Sequence, residues 1–306
     1  MRRRWVIVAT LLAIAALAAA CWKWPEVRRL IDRRTPRERY VAALRNAGLA
    51  ETALVRDWLA AADGALRKPE VTKLPLQTEV HHSPAAPTAY GYRFRLQRGR
   101  LLRVELTVIG SEAALVFLEL FAADESVSTA PVAVSDGVGL LLQHEIDRDG
   151  DYILRIQPEL LRGGEMRIGQ RTTASMTFPV AGRTSASVKS FFLDPRDNNR
   201  RQHHGIDIFA PRETPIVAAA DGDVTFVGTS QLGGNIVWVW DAVRQQSHYY
   251  AHMSRQAVAA GARVRAGTVL GYVGNTGNAR TTPPHLHFGI YSRGEGPINP
   301  LPFVQN

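Results

Sequence analysis

The chain is nearly devoid of cysteine: its 306 residues include only Cys21. The body of the protein therefore contains no disulfide, which excludes a disulfide-stapled scaffold. A metal site downstream of Cys21 has to use nitrogen and oxygen ligands, because no thiolate is available there. The remaining composition, 45% hydrophobic and 21% charged, is that of an ordinary globular protein with room for two domains.

Three further absences narrow the function. No lysine follows Lys189, so the stretch 258–274, which resembles turns of lipoyl- and biotinyl-carrier folds, lacks the modifiable lysine of a carrier. The acidic turn at 147–151 lacks the closing glutamate of a twelve-residue calcium loop. The net charge of +9 favours an anionic partner, but no finger spacing, aromatic RNP strand or helix-turn-helix is present. Nucleic acid is therefore not expected, and a membrane surface or an acidic polymer such as a cell wall is favoured.

The N-terminus is typical of an exported protein. Arg2–Arg4 precede Trp5–Trp22, an uncharged and mostly apolar run near the lower length limit for a membrane-spanning helix. Residues 1–24 are interpreted as a signal peptide or a membrane anchor. Cys21 follows small residues, as in the lipobox of bacterial lipoproteins, so lipidation is a further alternative. The expected location is the periplasm or cell envelope, attached to the membrane, although the basic residues that follow run against the positive-inside tendency and leave orientation open.

The pattern of apolar residues divides the rest of the chain into four segments. Spacings of three and four predict a helical segment over 25–68, divided into two helices at Gly48. The proline-rich stretch 69–89 is interpreted as an extended linker or an edge segment. Alternating β-rich runs predict a small β-sandwich-like domain over 90–173. Glycine-punctuated strands predict an antiparallel β domain over 176–306, so the expected fold class is mainly β.

Histidines concentrate in the last segment, which contains six of the nine. His203 and Asp207 lie four residues apart around Gly205. Zinc binds imidazole nitrogen and carboxylate oxygen, and a catalytic site uses three protein ligands and leaves a fourth position for water. His287 would supply the third ligand. His285 lies two residues earlier on the same strand face.

Two further histidines, His252 and His285, are candidates for proton transfer. Alternation along the predicted strand 247–252 places His248, Tyr250 and His252 on one face. Histidine beside a metal-bound water is suited to accept a proton or to stabilise an oxyanion, which indicates this role for His252 and His285. His248 is a candidate groove residue, and His204 is expected at the surface or next to the ligands.

The order and gaps of these motifs resemble a known family. H-x-G-x-D from His203, Y-A-H from Tyr250 and H-x-H from His285 are similar to the lysostaphin-type (LytM) zinc metallopeptidases of bacteria. The flanking stretches FAPRETPIVAAADGDV and GYVGNTG match as well, and the resemblance covers about residues 176–302. Where the family commonly has a glycine, this chain has Phe191–Leu193, which is expected to reshape the edge of the groove.

The resemblance implies that His203, Asp207 and His287 hold one zinc ion, while His252 and His285 act on the water and the tetrahedral intermediate. The expected function is a zinc-dependent endopeptidase that hydrolyses peptide bonds in the stems or cross-links of bacterial peptidoglycan through a metal-activated water. Two alternatives stay open. One is a non-enzymatic LytM-type activator of a separate cell-wall amidase, and the other is a protease acting outside the wall.

Overall fold

The structure is a computed structural model. It describes residues 34–109, 115–123, 126–128, 130–135, 140–196 and 198–306. The predicted signal peptide or anchor over 1–24 lies outside these residues. Within the described part, no helix combines the length and the apolar character needed to cross a membrane.

Two helices open the described chain, α1 (Pro36–Asn46) and α2 (Ala53–Arg67). Thr35 caps α1 in a reciprocal arrangement with Glu38: the Glu38 amide donates to Thr35 Oγ1 at 3.2 Å, and the Thr35 amide donates to Glu38 Oε2 at 2.7 Å. Gly48 follows α1 with φ +72°, a conformation that favours glycine. The predicted division into two helices at this glycine matches the structure.

The middle of the chain forms two packed sheets around one apolar core. The first has the order β1 (Glu70–Val71), β3 (Tyr90–Leu96), β8 (Gly150–Pro158), β5 (Val116–Ala122) and β6 (Ala133–Val134). The second has the order β2 (Leu76–His82), β9 (Gly164–Ala174), β4 (Arg100–Ile109) and β7 (Leu141–Glu145). Inward-facing residues of both sheets, such as Leu118 and Val104, are fully buried against each other, as in a β-sandwich.

One boundary differs from the sequence prediction. Residues 69–89 supply β2, an edge strand that pairs with β9 from Leu76↔Gln170 to His82↔Gly164. Of the two interpretations offered for this stretch, the edge segment therefore holds for 76–82 and the linker does not. The prolines of this stretch lie outside β2 and leave its alternation intact, so that Leu76 and Val80 pack on the sandwich core.

The C-terminal part is a ten-stranded antiparallel sheet, so the predicted mainly β fold is confirmed. Its main path is β10 (Val188–Ser190), β13 (Ile206–Phe209), β20 (His285–Ser292), β17 (Gln246–Gln256), β16 (Gly234–Asp241), β15 (Gly222–Ser230) and β18 (Arg263–Val264). The side strands are β14 (Pro215–Val217), β19 (Val269–Val273) and β21 (Gly296–Ile298). A short hairpin of β11 (Pro195–Arg196) and β12 (Arg201–Gln202) precedes β13, and α3 (Leu301–Val304) closes the chain. One face of the large sheet covers an apolar core; the other carries His252, His285 and His287.

Salt bridges join the sandwich to the C-terminal sheet. Arg244 Nη2 donates to Glu145 Oε2 at 2.7 Å, and Arg98 Nη1 donates to Glu295 Oε2 at 2.6 Å. Because side chains of one unit complete the polar contacts of the other, the full chain is the appropriate material for functional tests.

Candidate metal centre and substrate groove

Three predicted residues bring one donor atom each to a common point. Asp207 on β13 and His287 on β20 are direct cross-strand partners, and His203 lies in the turn before β13. His203 Nε2 is 3.0 Å from Asp207 Oδ1 and 2.9 Å from His287 Nδ1, and the latter two atoms are 3.1 Å apart. Tetrahedral zinc with ligand atoms at about 2.1 Å separates those atoms from one another by about 3.4 Å. The nearly equilateral triangle resembles one face of that tetrahedron, so these residues fit a zinc ion.

Gly205 permits this convergence. A Cβ atom at this position would lie 2.5 Å from the Phe288 carbonyl oxygen and 2.8 Å from His287 Cε1. The turn between His203 and Asp207 therefore passes over β20 at a distance that only glycine allows. This contact explains the central glycine of the H-x-G-x-D motif in physical terms.

Two of the three donors have their remaining polar atom held by another part of the chain. Arg196 Nη2 on β11 donates to Asp207 Oδ2 at 2.7 Å, and His203 Nδ1 is 2.8 Å from the Phe191 carbonyl oxygen. Such outer contacts orient ligands and fix the histidine tautomer. The Phe191–Leu193 segment thus reaches the site through its backbone. Sequence reasoning missed Arg196, since no periodicity marks an arginine in a short hairpin.

The electrostatics keep the donors in the form that binds a metal. Burial opposes ionisation of Asp207, but the adjacent His203 and His287 rings outweigh it and hold the pKa of Asp207 well below its usual range. Burial lowers the pKa of His287, and the Asp207 carboxylate opposes this only in part. At neutral pH the site therefore offers a carboxylate and neutral imidazole, the protonation states that metal binding requires.

His285 is fixed beside the three donors. Its ring stacks on Phe209 at a centroid distance of 4.9 Å and an interplanar angle of 25°. Its Nδ1 is 2.9 Å from the Pro283 carbonyl oxygen. A proton on Nδ1 satisfies that carbonyl, which leaves Nε2 with a lone pair. His285 thus presents a proton acceptor of fixed orientation.

His252 lines the same groove and is held by a different backbone carbonyl. Its Nδ1 is 2.9 Å from the Thr276 carbonyl oxygen. The centroid of its ring lies 5.0 Å from that of His285 and 6.0 Å from that of His287. Burial, followed by the nearby His285 and His287, lowers the pKa of His252 to about 4. The ring is consequently neutral at pH 7, with Nε2 as its acceptor.

The predicted common face of His248, Tyr250 and His252 is wrong. The pairing of β17 with β16 shifts register between Tyr250 and Met253, and His252 has φ +64°. This β-bulge turns His252 into the groove, whereas Tyr250 and His248 are completely buried on the core side. His248 is therefore not a groove residue. His204 is exposed at the groove and lies outside the three-donor group, as expected.

The groove around these histidines has a volume of about 550 Å³. One wall is aromatic: Trp238 lies 4.5 Å from Tyr249 and 5.1 Å from Tyr291, measured between ring centroids. Tyr249 in turn lies 5.7 Å from the ring of His287. This aromatic wall was not predicted from the sequence. Alternation along 234–241 and 246–250 does separate the positions of Trp238 and Tyr249 from those of the core residues.

Comparison with known proteins places this site in context. The family model described as peptidase family M23 matches residues 201–300. The DD-carboxypeptidase/endopeptidase Mpg of Neisseria meningitidis serogroup B is 45% identical over 123 residues, which are 40% of this chain and 27% of that protein. The L-Ala–D-Glu endopeptidase of Bacillus subtilis is 34% identical over 139 residues, or 42% of each protein. The chain thus spans less than half the length of these curated relatives.

Solved structures include the catalytic domain of lysostaphin from Staphylococcus simulans. It is 30% identical to this chain and the match covers 38% of this chain and 88% of that one, with a TM-score of 0.35.

Proposed function

Because residues 201–300 form a domain of peptidase family M23, we propose that the protein is a zinc-dependent endopeptidase that hydrolyses peptide bonds of bacterial peptidoglycan. The observation that carries this proposal is the convergence of three metal-donor atoms beside His252 and His285 in one groove. The activities named for two relatives, an L-Ala–D-Glu endopeptidase of Bacillus subtilis and a peptidoglycan DD-endopeptidase of Vibrio cholerae, support the substrate class.

His203, Asp207 and His287 would hold the zinc ion. When bound, zinc acts as a Lewis acid that makes water a nucleophile near neutral pH and polarises the scissile carbonyl. Arg196 occupies the second oxygen of Asp207, so the carboxylate would use its other oxygen for the metal. The His203 ring is held in place by its contact with the Phe191 carbonyl.

His252 and His285 would carry the proton transfers. Each ring is anchored at Nδ1 by a backbone carbonyl, so Nε2 is the atom that would accept a proton. After accepting it, the same nitrogen becomes a donor that can stabilise a negatively charged oxygen or protonate the leaving amine. The stacking of His285 on Phe209 limits rotation of the ring and so keeps this geometry.

The complete donor set favours an enzyme over a non-enzymatic activator of a cell-wall amidase, because an activator does not need one. The protein would act in the periplasm or cell envelope, attached to the membrane through residues 1–24 or a lipid on Cys21. Cys21→Ala separates these routes: loss of the mutant from the membrane fraction supports lipidation, whereas retention supports an apolar anchor.

The test of the proposed activity uses the purified full chain, loaded with zinc, on cell-wall sacculi. New free amines should be released, and a chelator or His285→Ala should abolish the release. His81→Ala is a matched control, since His81 is an exposed histidine of the sandwich. Absence of new amines from the zinc-loaded full chain would refute the proposal.

A further inference from the structure

We propose that Asp194 is a positioning residue of the metal centre, which holds two of the three donors, His203 and Asp207, through two short chains of hydrogen bonds. One chain passes through the backbone of Phe191, and the other passes through the side chain of Ser190. This inference rests on the metal site of the proposed function, and it adds a residue that lies outside the three-donor group.

The first chain leads from Asp194 through Phe191 to the ring of His203. The Phe191 amide donates to Asp194 Oδ2 at 2.7 Å, and the Asp194 amide donates to the Phe191 carbonyl oxygen at 3.2 Å. Asp194 thus binds Phe191 at both of its backbone polar groups. The same carbonyl oxygen lies 2.8 Å from His203 Nδ1. Asp194 therefore fixes the acceptor that holds the proton on Nδ1 and leaves Nε2 with the lone pair that a metal requires.

The second chain leads from Asp194 through Ser190 and Arg196 to Asp207. The Ser190 hydroxyl donates to Asp194 Oδ2 at 3.1 Å and accepts a hydrogen bond from Arg196 Nη2. The same arginine nitrogen donates to Asp207 Oδ2 at 2.7 Å. Ser190 therefore gives the guanidinium group a second fixed acceptor, which restricts the rotation of a long side chain. Since the Ser190 hydroxyl is in turn oriented by a carboxylate, a strong type of hydrogen bond holds the chain together.

The backbone of the turn at 191–194 is strained and is bound directly to the ligand segment. Leu193 has φ +68°, in the left-handed region that favours glycine. Its amide donates to the His203 carbonyl oxygen at 2.8 Å, and the His203 amide donates to the Asp194 carbonyl oxygen at 2.9 Å. Such a conformation persists only where surrounding contacts determine it. The contacts here are those of His203 and Asp194, so the strained turn and the ligand hold each other in place.

The zinc affinity of the purified full chain tests this role. Asp194→Ala removes both side-chain contacts, so the affinity should fall about 10- to 100-fold, as it does for other groups that orient metal ligands. Asp194→Asn should recover most of the loss, because an amide oxygen can still accept from the Phe191 amide and the Ser190 hydroxyl. Competition titration with a coloured chelator measures each affinity. The matched control is Asp223→Ala, which removes a half-exposed carboxylate paired with Arg263 Nε at 3.1 Å on β15. It should leave the zinc affinity unchanged.

A double-mutant cycle separates positioning from a general loss of stability. Because Ser190 joins Asp194 to Arg196, the effect of Arg196→Met on zinc affinity should be smaller in the Asp194→Ala background than in the unmodified chain. Urea denaturation of the metal-free variants should show a similar free energy of unfolding for Asp194→Ala and Asp223→Ala. Strictly additive effects of Asp194→Ala and Arg196→Met on zinc affinity would overturn the proposal.

Zinc binding is measured without a substrate, so this inference can fail separately from the proposed activity. Weaker zinc binding by Asp194→Ala supports the inference even if the unmodified chain cleaves no peptidoglycan. A folded Asp194→Ala variant with unchanged zinc affinity would overturn it and leave a peptidase activity intact. If Asp194→Ala does not fold, Ser190→Ala decides, because it removes only the hydroxyl that joins Asp194 to Arg196. Its zinc affinity should fall about tenfold, and an unchanged affinity would overturn the proposal.

Discussion

Two histidines of β17, His252 and His248, lie four residues apart and face opposite sides of the C-terminal sheet. His252 enters the groove, where the Thr276 carbonyl holds its Nδ1 at 2.9 Å. His248 is completely buried on the core side, and neither of its ring nitrogens has a hydrogen-bond partner among the described residues. Burial alone, therefore, does not distinguish a functional histidine from a structural one. The contacts that orient the ring do.

The groove face and the core face of the C-terminal sheet differ in the same way, in whether the histidine rings are held by hydrogen bonds. On the groove face, His203, His252 and His285 each have Nδ1 within 2.9 Å of a backbone carbonyl oxygen. On the core face, the His248 ring lies 6.2 Å from that of Phe288, measured between ring centroids, and no backbone carbonyl among the described residues holds either of its nitrogens. We therefore expect substitutions on the groove face to change metal binding and turnover, and substitutions on the core face to change stability.

Loss of a metal donor should have the largest effect. His287→Ala removes one corner of the donor triangle, so zinc affinity should fall by more than the ~100-fold typical of outer contacts, and activity should be lost. Zinc content after dialysis measures this directly. A variant that retained one equivalent of zinc would contradict the assignment of His287.

His285→Ala should separate turnover from metal binding. Removing a proton-transfer group should lower kcat about 10²- to 10⁴-fold and leave the zinc content at one equivalent. Zinc content and kcat are measured for both His285→Ala and His287→Ala, and the two variants are compared. If the two variants lost zinc equally, the division of roles within the H-x-H motif would be wrong.

Arg196→Met should have an intermediate effect. It removes the contact on Asp207 Oδ2, and zinc affinity should fall about 10- to 100-fold. Arg196→Lys should recover part of the loss, because a charged donor remains. Competition titration with a coloured chelator measures both. Unchanged affinity in Arg196→Met would show that the 2.7 Å contact does not position the ligand.

The smallest effect at neutral pH is expected on the core face. Burial chiefly lowers the pKa of His248 to about 4, although Asp241 opposes the shift. The unfolded chain, with a histidine pKa of about 6.5, binds more protons between pH 6.5 and 4, so the free energy of unfolding should fall as the pH falls through this range. His248 accounts for about 2 kcal/mol of that loss at pH 5.

His248→Phe tests this prediction by urea denaturation at pH 7 and pH 5. The variant should be more stable by roughly 1 kcal/mol at pH 7, because it removes two buried polar atoms without partners, and its advantage should grow at pH 5. His252, with a similar pKa, should retain part of the pH dependence. His81→Phe, at an exposed position, should leave the dependence unchanged. An advantage of His248→Phe that did not increase at pH 5 would contradict the account.

The sequence identified the five polar residues that the structure brings into one groove because their signals are local. His203 and Asp207 are four residues apart, His285 and His287 share a strand face, and His252 ends an apolar strand. Their roles as ligands and proton carriers remain predictions. The two helices and the β character of the C-terminal part also follow from short-range periodicity, which a single sequence records well.

The remaining features depend on tertiary contacts. Arg196 reaches Asp207 because the hairpin of β11 and β12 folds back, and no pattern along the chain records that contact. The bulge at His252 breaks the alternation on which the placement of His248 depended. The prolines on either side of β2 left two interpretations open, a linker or an edge segment, and only the pairing with β9 decides for the edge strand. Each of these features is decided by contacts between residues distant in sequence, which rules based on neighbouring residues do not include.

Mass analysis of the fragments that the zinc-loaded full chain releases from defined peptidoglycan tests the central claim most directly. The account predicts fragments with new amino termini in the stem or cross-link peptides, and at least a 100-fold slower release by His285→Ala. Intact peptidoglycan after incubation with a protein that holds one equivalent of zinc would contradict it.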